Sequence, residues 1–250
     1  MKNISEDKNI VYGKNPIVEI LENNPLRINK IFIQDKISFD NRLKKIVDLA
    51  RDNKILVKFT NINNFFEEHV AHQGVVALVS PVEYIELEDF LNLPPKNKFK
   101  KLIILDEISD PHNFGAIIRT VACAGFDGVL VSNHRSCPVT NVVEKVSMGG
   151  VNHINIIKTN SISASIDYLK KNNWWIIATD AECKDNYFDI DYTDMDFAVI
   201  MGSEGKGISK TLLNKADFKV KIPTNFESLN VSNAAAVIIY EAVRQILKKS

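Results

Sequence analysis

Three segments of this 250-residue chain contain residues whose types and spacing could do chemistry. The first, residues 106–119, runs from an apolar stretch into a predicted helix and contains Asn113, Gly115 and Arg119. Asn113 is a residue type that caps helices, and Gly115 allows another backbone to approach closely. Taken alone, this segment is also typical of a capped helix that carries a surface arginine.

The second segment, residues 201–208, contains three glycines within six residues directly after an apolar stretch. Such a turn leaves main-chain N–H groups free to bind a ligand. It matches neither the dinucleotide-binding pattern G-x-G-x-x-G nor a P-loop, in which a glycine precedes Lys and then Ser or Thr. Taken alone, it indicates a tight strand-to-helix connection as readily as a ligand site.

The third segment, residues 222–233, leads from a predicted strand through a polar loop into a helix that begins with three alanines. Ser232 or Asn230 could cap this helix, which is ordinary local structure. All three segments follow predicted strands, however. In parallel α/β folds, ligands bind beyond the carboxyl ends of the strands, so we expect the three segments to meet at one edge of a sheet.

Alternating strands and helices would position these segments. In the second part of the chain, strands are predicted at 102–106, 128–132, 154–157, 174–179, 197–201 and 218–222, and helices at 113–124, 139–148, 161–171, 209–214 and 232–248. In the first part, strands are predicted at 30–34, 55–60 and 75–80, and helices at 15–23, 41–51 and 62–70. This alternation predicts an α/β protein with a mostly parallel sheet that is covered on both faces.

The chain divides into two predicted domains. Residues 1–82 form a small α/β domain, and residues 101–250 form a larger one. Residues 83–100 contain an acidic run and a Pro pair but no apolar periodicity, which predicts a semi-rigid linker.

Composition excludes several classes of protein. No run approaches the roughly 18 apolar residues that span a bilayer, and the N-terminus lacks the apolar region of a secretory signal, so we expect a cytoplasmic protein. The cysteines, Cys123, Cys137 and Cys183, are widely spaced and form no CxxC pair, which indicates no metal site. Thirty-one Lys and Arg balance thirty-one Asp and Glu, so any RNA-binding surface must be a local basic patch.

Together and in this order, the three segments resemble the signature motifs of the SpoU family of RNA ribose 2′-O-methyltransferases, within the SPOUT superfamily. Asn113, Gly115 and Arg119 are similar to the first motif, and M-G-x-E-G-x-G at 201–207 is similar to the second. Ile222 and Pro223, followed by S-L-N-V-S at 228–232, are similar to the third. Residues 11–19 and 72–77 resemble the substrate-binding domain of the ribosomal-RNA branch.

This resemblance implies a knotted C-terminal domain, a deep trefoil, preceded by a small RNA-binding domain. It also implies S-adenosyl-L-methionine as methyl donor without a metal, and a homodimer with its active site near the subunit interface. The implied acceptor is the ribose of a guanosine in 23S ribosomal RNA of the large subunit.

The resemblance further assigns roles to individual residues. The implied donor-binding residues are Thr179, Gly202, Ile222 and Leu229, and the implied catalytic group consists of Arg119, Asn113, Glu204, Ser228 and Asn230. A guanidinium barely deprotonates, so Arg119 is better suited to stabilise a developing alkoxide and bind phosphate than to act as a base. Glu204 could hold Arg119 in place or accept the proton.

Three other functions compete with this hypothesis. A transfer-RNA 2′-O-methyltransferase would share the motifs, although simpler members lack an N-terminal domain. A non-catalytic RNA-binding assembly factor would share the fold, and donor binding would distinguish it. A Rossmann-type oxidoreductase would need a glycine fingerprint after an early strand, but residues 106–113 contain no glycine.

Overall fold

The computed structural model describes residues 10–66, 71–203 and 205–249. It divides into two compact units, Met1–Val82 and Glu83–Ser250, which we call unit 1 and unit 2.

Unit 1 is a four-stranded sheet with two helices. Its elements are β1 (Ile10–Tyr12), α1 (Lys14–Asn23), β2 (Ile28–Gln34), α2 (Asn41–Asp52), β3 (Leu56–Thr60) and β4 (Val75–Val79), with 3-10 helices at Pro25–Arg27 and Ile62–Phe65. The strand order is β1-β4-β2-β3; β2 and β3 are parallel, and β4 runs antiparallel to β1 and β2. Where we predicted a helix at 62–70, the structure has a 3-10 helix at Ile62–Phe65, and residues 67–70 lie outside the described residues.

Sequence spacing explains how unit 1 forms its core. In α2, Leu43, Ile46 and Ala50 follow the helical repeat and are fully buried. They pack in one cluster with sheet residues that include Ile31 and Ile33. Strand β1 was not predicted, because three residues are too few to show an alternating pattern.

Unit 2 is built on a six-stranded sheet in which every strand is parallel to its neighbours. Its strands are β5 (Lys101–Leu105), β6 (Gly128–Ser132), β7 (Asn155–Thr159), β8 (Trp175–Thr179), β9 (Phe197–Met201) and β10 (Phe218–Val220), in the order β10-β8-β9-β5-β6-β7. Its helices are α3 (Leu87–Asn92), α4 (Pro111–Cys123), α5 (Asn141–Val146), α6 (Ile162–Lys171), α7 (Lys210–Leu213) and α8 (Val231–Lys249). The central strands β5 and β9 are buried along their whole length, as in a sheet that is covered on both faces. The prediction of a parallel α/β fold is confirmed.

Residues 83–100, for which we predicted a linker, are grouped by the structure with unit 2. Leu87 and Phe90 of α3 are buried in the core cluster that contains Trp174. The ammonium of Lys100 donates hydrogen bonds to the carbonyl oxygens of Phe90 and Leu91, at 3.1 and 2.6 Å. A six-residue helix with two buried apolar residues is too short to show a period in the sequence.

The start of α4 also differs from the prediction that Asn113 caps this helix. Asp110 is the cap, and its side chain accepts a hydrogen bond from the backbone N–H of His112 at 2.9 Å. Pro111 occupies the first helical position, where its missing N–H costs nothing and its fixed φ suits the helix. Asn113 therefore lies inside the first turn, where it is buried.

Candidate functional site

A cavity of about 930 Å³ opens beyond the carboxyl ends of β8, β9 and β10, three neighbouring strands of unit 2. Its walls come from the segments that follow these strands and from the first turn of α8. It is lined by residues 179–182, 202–203, 205–208, 210, 213, 220–222, 224, 226, 228–231 and 234. This is the position at which parallel α/β folds bind ligands.

The glycine-rich turn after β9 forms one wall. The backbone N–H of Gly207 donates to the carbonyl oxygen of Ser203 at 3.0 Å, so the turn folds back on itself. A Cβ on Gly202 would lie 2.2 Å from the carbonyl carbon of Gly207, which leaves no room for a side chain. Gly205 and Gly207 have φ values of 84° and 66°, which favour glycine. Glu204, a predicted catalytic residue, lies outside the described residues.

A buried carboxylate holds the far end of this turn. Asp106, directly after β5, is buried, and its carboxylate accepts a hydrogen bond from the backbone N–H of Ser209 at 3.1 Å. The backbone N–H of Asp106 in turn donates to the carbonyl oxygen of Met201 at 2.9 Å. Asp106 therefore fixes both ends of the segment that carries the glycines. We did not predict this role, although an acidic residue directly after an apolar strand is a signal for it.

The four predicted donor-binding residues, Thr179, Gly202, Ile222 and Leu229, all line this one cavity. The hydroxyl of Thr179 donates to the carbonyl oxygen of Ile200 at 3.2 Å, which ties the end of β8 to β9. Ser228 lines the same cavity, in a loop whose residues 223–230 are all exposed.

Asn230 connects the cavity to α4. It lines the cavity, and its side-chain nitrogen donates to the side-chain oxygen of Asn113 at 3.0 Å. Its own side-chain oxygen accepts from the backbone N–H of Ser232 at 2.9 Å and from the hydroxyl of Ser232 at 2.6 Å. Asn230 is thus the cap of α8, one of the two alternatives that the sequence left open, and it is hydrogen-bonded to the buried Asn113.

Arg119 lies apart from this group. It follows Asn113 by six residues, about 9 Å along the axis of α4, and it is exposed. Arg119 is not among the residues that line the cavity, and its guanidinium makes no hydrogen bond or ion pair with the described part of the chain. A single protomer therefore brings together most of the predicted site residues but leaves Arg119 outside the cavity.

Two carboxylates at the cavity were missed by the sequence analysis. Asp180 and Glu182 follow β8 directly and line the cavity. The side chain of Asp180 accepts a hydrogen bond from the backbone N–H of Glu182 at 3.1 Å, which shapes a short turn. Their position after a strand was the available signal. Next to them, burial together with the nearby Asp180 carboxylate raises the pKa of the Cys183 thiol, which disfavours its reactive thiolate form.

A search of the residues that the structure describes finds no cluster of His, Cys, Asp and Glu that could hold a metal ion. No helix in the same part of the chain is long and apolar enough to cross a membrane.

Comparison with known proteins gives two family matches. Residues 100–240 match the SpoU rRNA Methylase family, and residues 10–85 match the family of RNA 2′-O ribose methyltransferase substrate binding domains. A putative TrmH family tRNA/rRNA methyltransferase from Staphylococcus aureus is 36% identical over 241 residues, which cover 94% of this chain and 96% of the relative.

Two solved structures share the fold. An AdoMet-bound rRNA methyltransferase from Sinorhizobium meliloti superposes with a TM-score of 0.81 at 22% identity, covering 98% of this chain and 94% of that one. The A. aeolicus TrmH/SpoU tRNA modifying enzyme superposes with a TM-score of 0.57 at 26% identity, covering 65% of this chain and 83% of that one. With the two family matches and the Staphylococcus relative, these findings show that the chain belongs to the SpoU family and is an S-adenosylmethionine-dependent RNA ribose methyltransferase.

Proposed function

We propose that this protein methylates the 2′-hydroxyl of a ribose in 23S ribosomal RNA, at a guanosine. One observation carries the proposal: a single cavity at the carboxyl edge of the parallel sheet is lined by every predicted donor-binding residue and by Ser228 and Asn230.

The cavity suits S-adenosylmethionine in size and lining. Its volume of about 930 Å³ falls in the range of small-molecule sites, roughly 300–1,000 Å³. Ile222 and Leu229 offer apolar walls for an adenine ring, and the glycine turn offers main-chain hydrogen bonds. Asp180 and Glu182 are suited to accept hydrogen bonds from hydroxyl and ammonium groups. The donor supplies a methyl group that is activated by a positively charged sulfur.

We assign the acceptor side of the reaction to the polar residues around this cavity. Arg119 binds the phosphate next to the acceptor ribose and stabilises the negative charge that develops on its oxygen. Asn113 and Asn230 hold the loop of residues 223–230 against α4, and Ser228 presents its hydroxyl from that loop. Glu204 orients Arg119.

We infer that the protein acts as a homodimer with its active site near the subunit interface. This arrangement would allow Arg119, which lies outside the cavity of one protomer, to serve a site that two protomers form. The inference includes a trefoil knot in the C-terminal domain, with the donor-site loops at the knot, and a cytoplasmic location.

The extent of the fold match favours ribosomal RNA over transfer RNA as the acceptor. The tRNA-modifying neighbour matches only 65% of this chain, whereas the rRNA methyltransferase matches 98% of it. Because residues 10–85 match a substrate-binding family, the additional unit is best explained as part of the recognition of a large RNA. The name of the Staphylococcus relative includes both RNA classes and does not discriminate.

Mapping of 2′-O-methyl groups tests this proposal. Ribosomal and transfer RNA from cells with and without the gene would be compared, and purified protein would then be offered the unmethylated RNA with labelled donor. We expect one ribose of 23S RNA to lose its methyl group without the gene and to regain it in vitro. Arg119→Ala should abolish transfer while donor binding persists. A methyl group that disappears from transfer RNA instead would refute the ribosomal assignment, and no transfer to any RNA would refute the function.

A further inference from the structure

Unit 1 exposes a pair of aromatic rings at the carboxyl end of its parallel strands. Phe39 lies in the connection between β2 and α2, and Phe59 lies next to the last residue of β3. Their ring centroids are 6.1 Å apart with an interplanar angle of 32°, and the two residues are 56% and 48% exposed.

This pair differs from the other aromatic rings of unit 1. Tyr12, Phe32, Phe65 and Phe66 are buried or partly buried and pack in one cluster with apolar neighbours. Within the described part of unit 1, Phe39 and Phe59 are the phenylalanine and tyrosine rings that remain exposed. The two adjacent rings present an apolar surface that the fold leaves about half exposed.

The position of Phe39 is fixed by its neighbours in the chain. Asp40 caps α2, and its carboxylate forms an ion pair with the ammonium of Lys14 at 2.7 Å. Ile37 packs against the core cluster of unit 1. Because Ile37 and Asp40, on either side of Phe39 in the chain, are both anchored, the backbone that carries Phe39 is restrained before a partner arrives, which reduces the entropy that binding would cost.

The charge around the pair is suited to a polyanion. Residues 35–44, which carry Phe39, contain the exposed basic residues Lys36, Arg42 and Lys44. They contain two acidic residues, of which Asp40 is already paired with Lys14. The whole chain has no net charge, so this is a local basic excess of the kind that an RNA-binding surface requires.

We propose that Phe39 and Phe59 form a platform on which unpaired nucleobases of the substrate RNA stack, with the surrounding basic residues contacting phosphates. This inference rests on the proposed function and assigns the RNA contact to a surface of unit 1. Unpaired bases are the fitting occupant, because proteins recognise single-stranded RNA by stacking bases on aromatic side chains, whereas paired bases already stack on each other.

The test uses the full-length protein and a double variant, Phe39→Ala/Phe59→Ala. Three quantities are measured on unmethylated 23S RNA: the KM and the kcat of methyl transfer, and the Kd of RNA binding in a filter assay without donor. Loss of one base–aromatic stack weakens binding about 5- to 150-fold, so we expect KM and Kd for RNA to rise about tenfold while kcat and donor affinity remain unchanged.

Two controls separate stacking from other effects. Phe39→Tyr/Phe59→Tyr retains both rings and should behave as wild type. Leu26→Ala changes an exposed apolar side chain (92% exposed) that precedes β2, about 20 Å from the carboxyl end of that strand. This variant should leave RNA binding unchanged.

The other possible outcomes would overturn the stacking platform, the proposed function or both. If the double alanine variant binds RNA with an affinity within twofold of wild type, the proposal of a stacking platform is overturned. It is also overturned if light scattering shows that this variant has a different oligomeric state, because the two rings would then belong to a protein interface. Wild-type protein that binds RNA but transfers no methyl group would refute the proposed function, and the filter assay would still decide the platform. Wild-type protein that binds no RNA would overturn both.

Discussion

Loss of the hydrogen bond between Asn230 and Asn113 should lower the unfolding free energy of unit 2, by an amount that the structure allows us to calculate. Asn230→Ala removes the cap of α8, which costs about 1 kcal/mol of unfolding free energy. It also removes the hydrogen bond to the side-chain oxygen of Asn113, at a cost of about 0.5–1.5 kcal/mol. We therefore expect a total loss of about 1.5–2.5 kcal/mol.

Asn230→Ser separates these two contributions. A serine hydroxyl can still cap α8, but its short side chain cannot reach Asn113, so only the second cost remains. The expected loss is about 1 kcal/mol smaller than in the alanine variant, which is the contribution of the cap. In the double variant with Asn113→Ala, the two substitutions should be non-additive by about 1 kcal/mol, because both remove the same hydrogen bond.

Urea denaturation followed by tryptophan fluorescence measures this effect in unit 2 alone. Both tryptophans of the chain, Trp174 and Trp175, lie in unit 2, so unfolding of unit 1 contributes little to the signal. A loss below about 1 kcal/mol in Asn230→Ala would refute the reasoning. Equal losses in the alanine and serine variants would show that the cap contributes nothing.

Three further predictions concern other parts of the chain. Gly202→Ala should weaken donor binding in calorimetry more than tenfold, because its Cβ would overlap Gly207 and force the turn open; unchanged affinity would mean that the turn does not form the donor site. Hydrogen bonds from Lys14 and from the backbone lower the pKa of Asp40, so its contribution to stability is present above the unfolded pKa and is lost as pH falls through the folded value. Asp40→Asn should therefore flatten the acid side of the stability profile of unit 1, and an identical profile would contradict this assignment. Because the pKa of Cys183 is raised, its alkylation by iodoacetamide should require a higher pH in the folded protein than in urea, as mass spectrometry of the modified peptide would show; equal pH profiles would contradict it.

The parallel sheet of unit 2 could be predicted because its strands are short apolar runs separated by helical patterns. The cavity that we propose as the donor site could be predicted because strand ends in such a sheet converge, so Gly202 and Ile222 line the same cavity although twenty residues separate them. The resemblance to the family motifs, and not the periodicity of the sequence, indicated which of these residues would contribute to one site.

The errors have physical causes. Helix α3 was not predicted because it depends on tertiary contacts. Leu87 and Phe90 can be recognised as core residues only when their packing in the same cluster as Trp174 is known. Asn113 was assigned as a cap from its residue type, although Asp110 followed by Pro111 is the stronger start signal. The relation of Arg119 to the cavity depends on how α4 is oriented, which no spacing in the sequence encodes.

The dependence of the cavity on the start of α8 has a consequence for the nascent protein. The sheet order places β10, the last strand of the chain, beside β8, and the cavity is completed by residues up to Ala234. During synthesis, N-terminal elements become available to fold first, so the proposed donor pocket cannot form until this late region has left the ribosome. Unit 1, whose core cluster is contributed entirely by residues before Ser80, can fold much earlier. A chain still in synthesis would thus be able to contact RNA before it could methylate it.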